Sequence, residues 1–367
     1  MKIRDSVAFV TGADRGIGLV FAQELLAAGA RKVYAAARNQ ERIPVDGVTR
    51  IHLDETDLNT VASAKTLQTE SSKCYVSKSK MLPVLGALIV LLFAAQPLPV
   101  LAQSAGKVLI IMSSARQLVL NDGKVYNTGY YLPELADPLR KLLDAGYTPV
   151  FANPKGDAPN FDPVSNDKFY FGNSDQARAS AVALVESMQG LKHPMTLAQV
   201  LEEGTDGYVG IFIPGGHAPM QDLMQDKTLG QILLAFHSNG RPTALICHGP
   251  MALLSTVSDP VAFRAALAKR DYVTAATIAK DWPYAGYRLT VFSSAEEHML
   301  EGSSGQLGGQ VQFYPPDGLA QAGAHVDHVG LWQPNVIEDR EVITGQQPGS
   351  SELFGDALVA KLRDARH

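Results

Sequence analysis

Two stretches of the chain alternate short apolar runs with amphipathic ones. In the first, Ser6 to Val10 (SVAFV) reads as a buried strand and Leu19 to Ala28 as an amphipathic helix stopped by Gly29. Lys32 to Ala37 and Thr49 to Leu53 read as two more strands. In the second, the strands are Val108 to Met112, Thr148 to Ala152, Gly210 to Ile213, Thr243 to Ile246, Val291 to Ser293 and Glu341 to Thr344. Helical patterns fall between them at Glu134 to Ala145, Asp175 to Gln189, Thr228 to Asn239, Ala252 to Thr256 and Asp317 to Ala322. Strands alternating with helices predict an α/β fold, with a mostly parallel sheet covered on both faces.

The pattern breaks between these stretches. Thr66 to Lys80 (TLQTESSKCYVSKSK) is polar and reads as a linker. Lys78 and Lys80 then precede Met81, an apolar run from Leu82 to Ala95, Pro97, Pro99 and the small-residue pattern ending at Ala102. Basic, apolar and cleavage regions in that order make a secretory signal peptide, with Gln103 as the new N-terminus. The apolar run, at about 14 residues, falls short of a bilayer-spanning helix. Eighty residues precede Met81, so three readings stay open. Translation starts at Met81 and the product is periplasmic or secreted. Or the segment stays uncleaved as a membrane anchor. Or it is a buried helix of a two-domain cytoplasmic protein, against which Pro97 and Pro99 count. The organisation expected is therefore 1–65, 66–80, 81–102 and 104–367.

The bulk numbers narrow the function classes. Of the 367 residues, 46% are hydrophobic and 19% charged, which is globular and argues against disorder. The net charge of −5 without a Lys/Arg block leaves no footprint for nucleic acid. Two cysteines, Cys74 and Cys247, supply neither a disulfide framework nor a cysteine-rich zinc site.

In the first stretch Thr11-Gly12-Ala13-Asp14-Arg15-Gly16-Ile17-Gly18 lies between strand and helix. Gly12, Gly16 and Gly18 let the backbone approach a pyrophosphate at a helix N-terminus. Arg38 ends the second strand, where a 2′-phosphate would lie, and Asp54 follows the third. Residues 3–65 resemble the N-terminal part of the short-chain dehydrogenase/reductase family. The resemblance implies NADP held through Arg38, with Asp54 at the adenine. The family's Tyr-x-x-x-Lys, Ser and further strands do not follow. A two- or three-strand piece exposes its sheet edges, so the segment is expected to be a partial Rossmann fragment left by gene fusion.

The second stretch is complete. Ala244-Leu245-Ile246-Cys247-His248-Gly249-Pro250 delivers a cysteine from an apolar strand into a tight turn with a helix directly after it. That is a nucleophile elbow. A helix N-terminus is expected to depress the cysteine pKa and favour the reactive thiolate. The His248 amide with those of Gly215 or Gly216 forms an expected oxyanion hole. An inert buried cysteine is the alternative for Cys247. His248 reads as a general base or as a hydrogen-bonded structural imidazole. His217 reads equally as a substrate contact or a turn residue. His325 and His328 face opposite ways on a strand, so no metal site is expected. Trp282 and Trp332 read as packing residues that could also line a pocket.

Five motifs carry a resemblance over residues 107–365. They are Tyr130-Tyr131-Leu132-Pro133-Glu134-Leu135, Ile213-Pro214-Gly215-Gly216-His217-Ala218, Ile246-Cys247-His248-Gly249-Pro250, Glu296-Glu297, and Ile343-Thr344-Gly345 through Ser351. In this order they resemble the ThiJ/PfpI superfamily, and within it the branch of stress chaperones and glutathione-independent glyoxalases. The resemblance implies a flavodoxin-like parallel-sheet sandwich and a homodimer. It implies Glu134 as a buried acid beside Cys247 and points to Asp317 as the third member of a Cys-His-acid set. Pro316 occupies the position where the family often has glutamate. It further implies conversion of methylglyoxal to lactate without glutathione, metal or nucleotide. Cysteine-dependent hydrolysis of an amide or peptide, and a holdase chaperone, remain the alternatives, with NADP-dependent reduction by residues 1–65 behind them.

Overall fold

The computed structural model describes residues 7–11, 13–14, 16–53, 74–76 and 104–365. Two compact units divide the chain after Pro97. In the first, β1 (Val7–Thr11), β2 (Lys32–Ala37), β3 (Thr49–His52) and β4 (Cys74–Val76) form a parallel sheet in the order β3-β2-β1-β4. A helix, Gly16–Ala27, follows β1. Alternate side chains of β2 go to opposite faces: Val33, Ala35 and Ala37 pack with Ala22 and Ile43, while Tyr34 and Ala36 pack with Phe9 and Ile51. The fourth strand corrects one expectation. Cys74-Tyr75-Val76 lies inside the stretch read as a polar linker, yet it pairs with β1, because an aromatic and a β-branched residue suit a pleated edge. The segment at 81–102 read as a signal peptide lies outside the described residues. Among the described residues, no helix is long and apolar enough to cross a membrane.

The second unit is built on a seven-stranded main sheet with two two-stranded ribbons beside it. In chain order the strands are β5 (Lys107–Ile111), a β6 (Gln117–Val119)–β7 (Val125–Asn127) hairpin, β8 (Thr148–Asn153), β9 (Met195–Thr196), β10 (Tyr208–Ile213), β11 (Thr243–Ile246), β12 (Arg288–Leu289), β13 (His325–Val326), β14 (Val336–Asp339) and β15 (Val342–Gly345). The main sheet runs β14-β15-β11-β10-β5-β8-β9, parallel except for the edge strand β14. This is the α/β parallel-sheet fold expected from the sequence. β12 pairs with β13, and β6 with β7, in separate ribbons.

The strand residues explain the two cores. Leu109 and Ile111 of β5, Ile211 and Ile213 of β10, and Leu245 of β11 point to one face. There they meet Leu229, Ile232, Leu233 and Phe236 of the Lys227–Ser238 helix. Val108, Ile110, Phe212, Ala244 and Ile246 point to the other. They meet Leu132, Leu135, Leu139 and Leu142 of the Leu132–Asp144 helix and Phe354, Leu358 and Leu362 of the Ser351–Asp364 helix. Both faces are covered, so these strands read as continuous apolar runs. From β5 the chain moves to β8 and β9 on one side, then returns to β10, β11 and β15 on the other. The reversal between β5 and β10 leaves a crevice at the strands' carboxyl ends.

Two local expectations change. Val291 to Ser293 forms no strand and joins no sheet. The Phe292 amide instead donates to the Cys247 carbonyl at 3.1 Å. Ser293 caps the Ser294–Leu300 helix through a capping box with Glu296. The stretch read as an α-helix at Ala252 to Thr256 is a 3₁₀ segment, Gly249–Thr256, that starts just past the elbow.

Candidate active site

β11 delivers Ile246 to a sharp turn, and Cys247 takes φ +60°, a left-handed backbone unusual for a residue with a side chain. Such a conformation costs about 1–2 kcal/mol. Two ladder-like bonds hold it: the Cys247 amide donates to Gly345 O at 2.8 Å, and its carbonyl accepts from Phe292. The facing turn after β10 comes close enough to need glycine. A Cβ on Gly215 would meet Cys247 Cβ and Glu134 Oε2, each at 2.5 Å. Gly216 has φ +85°, and a Cβ there would meet Gly129 O at 2.1 Å.

A chain of buried polar groups runs away from the sulfur. Cys247 Sγ lies 3.2 Å from His248 Nδ1. His248 Nε2 lies 2.8 Å from Glu297 Oε2, and Glu297 Oε1 lies 2.7 Å from His217 Nε2. All four residues are buried, and the two imidazole centroids are 4.1 Å apart. Burial works to raise the Glu297 pKa, but His217 and His248 overcome it and hold the group well below the usual carboxylate range. Burial works to lower the His217 pKa, but Glu297 raises it. For His248, burial and then the neighbouring His217 push the pKa down to about 4. Near neutral pH the cluster therefore holds an anion on Glu297 and a neutral His248, and the Glu297 charge shifts His217 toward its protonated form. A neutral His248 that donates from Nε2 to Glu297 has its Nδ1 lone pair facing the thiol. The acid thus fixes the tautomer a general base requires.

Glu134 stands on the other side of the sulfur, in the first turn of the Leu132–Asp144 helix and fully buried. Burial pushes its pKa up to about 8; the Cys247 thiol and the Gly215 and Gly216 amides pull it down less strongly. Neither carboxyl oxygen has a well-directed hydrogen-bond partner. Near neutral pH it is a carboxylic acid. Burial, and then Glu134, push the Cys247 pKa well up, while the Gly216 amide beside the sulfur opposes them. This reverses the expectation of a depressed cysteine pKa. The desolvation of a buried thiolate outweighs the dipole of the short 3₁₀ segment beyond it.

A narrow pocket with about 20 Å³ of free space reaches Cys247, His248 and His217. Its walls are largely aromatic, with Tyr131 and Tyr170 on one side and Phe292 and Trp332 among the other lining residues. Trp282 is away from it, buried with Nε1 donating to Leu253 O and Thr256 Oγ1. His217, His248 and Glu297 present donor atoms within 4.8 Å of one another, the spacing of a metal site. Their mutual hydrogen bonds already account for the arrangement.

Comparison with known proteins bears on this geometry. Residues 134–258, which include Glu134, Gly215, Gly216, Cys247 and His248, match the DJ-1/PfpI family. This chain carries a DJ-1/PfpI domain. It is 29% identical over 262 residues to the protein/nucleic acid deglycase HchA of Staphylococcus aureus, covering 71% of this chain and 80% of that one. Among solved structures it is similar to the Rapid Encystment Protein 24 kDa of Francisella tularensis. There the TM-score is 0.52 at 23% identity, over 70% of this chain and 99% of that one. It is also similar to glyoxalase III of Candida albicans, with a TM-score of 0.48 at 20% identity, over 70% and 98% of the two chains.

Within the DJ-1/PfpI domain the structure brings Cys247, His248, Glu134, Gly215 and Gly216 together, and it leaves Asp317 out. Asp317 sits half-buried in the first turn of the Pro315–Gln321 helix, and Glu297 occupies the position beside His248. The sequence had offered Glu297 in the Glu296-Glu297 pair without a role. The capping-box spacing from Ser293 was the available signal: it fixes Glu296 as the cap, which leaves Glu297 free to turn inward. In the N-terminal unit, Gly16 opens the helix after β1, Gly18 follows within it, and Arg38 is exposed after β2. Gly12 and Asp54 lie outside the described residues. The comparisons lend no support to a short-chain dehydrogenase at residues 3–65.

Proposed function

We propose that the DJ-1/PfpI domain detoxifies reactive carbonyl compounds by covalent chemistry at Cys247. The observation that carries this reading is the juxtaposition of a thiol, a neutral imidazole held by Glu297, and a protonated Glu134 around one sulfur. The similarity to HchA, named a protein/nucleic acid deglycase, supports the same area of chemistry. The specific reaction proposed is the conversion of methylglyoxal to lactate. Cys247 gives its proton to His248 Nδ1, and the sulfur adds to the aldehyde carbon. Glu134 protonates the resulting oxyanion, which gives a hemithioacetal. The Glu134 carboxylate then takes the C1 proton while His248 protonates the C2 carbonyl oxygen, which gives an enediol; Glu134 returns the proton to C2 as His248 takes the C1 hydroxyl proton, which yields an S-lactoyl thioester. Water then cleaves the C–S bond to release lactate and restore the thiol. The Gly216 amide beside Sγ is suited to the oxyanion stages. No group outside the chain enters these steps except water, and no nucleotide is invoked for residues 1–65.

Amide hydrolysis is the competing use of a Cys-His-Glu set. The protonated Glu134 beside the sulfur favours the aldehyde. The test incubates the full chain with methylglyoxal, without glutathione, and measures lactate, with Cys247→Ala in parallel. Lactate from the parent alone supports the proposal. None from either protein removes it, and amide substrates come next.

A further inference from the structure

We infer that Trp332 sets the size of carbonyl compound that reaches Cys247, restricting the site to short aldehydes free in solution. The inference deepens the reading proposed above and rests on it for the substrate's identity. Cys247 is only 3% exposed, so whatever reacts with it must enter through the aromatic pocket. One wall is a coupled pair: Tyr131 and Tyr170 share a 2.7 Å hydroxyl hydrogen bond, with ring centroids 5.1 Å apart. Trp332 lines the same pocket while remaining 40% exposed, so it spans from the interior to solvent. Its ring lies 6.0 Å from Phe292, and Phe292 stacks on His248 at 4.8 Å. The indole thus continues the surface that carries the base.

The Trp332 backbone is held in place. It has φ +58°, a conformation unfavourable for a bulky residue. Its amide donates to Oε1 of the buried Glu296 at 2.9 Å. On either side, the Val329 amide donates to Gln346 Oε1 at 3.0 Å, and Gln347 Nε2 donates to Gln333 O at 2.9 Å. Three fully buried side chains, Glu296, Gln346 and Gln347, therefore fix a short exposed turn. A strained residue kept by so many bonds marks a position selected for where its side chain goes. Here the side chain goes to the pocket. Trp332 acts as a fixed wall, and enlarging the mouth requires shortening it.

The experiment compares the full-length parent with Trp332→Ala and with Trp332→Leu, which keeps an apolar contact with Phe292 should the alanine variant fold poorly. The readout is the ratio of kcat/KM for phenylglyoxal to that for methylglyoxal. The inference expects the ratio to rise by roughly tenfold or more in the alanine variant and by less in the leucine variant. An unchanged ratio overturns it. A second readout does not depend on aldehyde turnover. Mass spectrometry of the Cys247 peptide gives the rates of alkylation by iodoacetamide and by N-(1-pyrenyl)maleimide. A larger gain for the bulky reagent sustains the wall even if the parent makes no lactate, and equal gains or none overturn it.

Discussion

Replacing Glu297 by glutamine keeps the shape of the site and removes one charge. In the parent, the carboxylate accepts from His217 and His248 at 2.7 and 2.8 Å, and all three groups are buried. The glutamine side chain has one acceptor oxygen and one donor nitrogen, so it cannot accept from both imidazoles. His217 loses the charge that raised its pKa, and His248 loses the acceptor that fixes its proton on Nε2. Breaking one side of a buried pair typically costs about 3–5 kcal/mol. At about 2–4 °C per kcal/mol for a domain of this size, Tm should fall by roughly 10 °C. Loss of the tautomer that presents Nδ1 to the thiol should lower kcat by about 10²- to 10⁴-fold. Methylglyoxal turnover and a melting curve measure both effects, with Asp317→Asn as the control. Parent-like turnover in Glu297→Gln, or a comparable loss in Asp317→Asn, would refute the assignment of Glu297.

Glu134 couples stability to pH. Its ordinary pKa of 4.5 applies to the unfolded chain, and the folded value is about 8, so the folded state binds the extra proton between them. Stability from this group therefore falls as pH rises from about 4.5 to about 8, a drain that glutamine does not share. Glu134→Gln should raise stability at pH 7 by about 2–3 kcal/mol while abolishing turnover, as a chemical denaturation series would show. The parent's kcat/KM should decline above about pH 8 as the acid form disappears, and a flat alkaline limb would contradict the role. Gly215→Ala drives a methyl to 2.5 Å from both Cys247 Cβ and Glu134 Oε2. It should cost about 1–3 kcal/mol and most of the activity, and a neutral outcome in both assays would mean the two turns are less closely packed.

The legible parts of the sequence are those whose signal is local. The β5, β8, β10 and β11 runs are largely apolar, and each falls within two residues of its expected bounds, because burial between two helical layers leaves few polar positions to blur them. The elbow was legible because a strand, a cysteine and a glycine turn are contiguous. The relation between Glu297 and His248 was not, since 49 residues separate them and only the fold brings them together. Asp317 sat near the family's place, but the first turn of a helix that opens on two prolines makes an acidic residue there ordinary. The cysteine's protonation failed for a different reason. The dipole argument reads a turn, while the dominant cost is the burial of the sulfur by everything packed around the turn, followed by the neighbouring Glu134. β4 was hidden because three residues in a polar stretch become a strand only when β1 offers an edge.

The proton on Cys247 has a consequence for survival in an oxidising milieu. Peroxides attack thiolates, and sensor cysteines react because their pKa is low and their sulfur is open to solvent. This sulfur is 3% exposed, its pKa is pushed up, and its neighbouring carboxyl is itself protonated. In the proposed chemistry the nucleophile is therefore kept in a latent form, with its proposed base 3.2 Å away. Latency of this kind lets a protein meet one class of electrophile without being consumed by another.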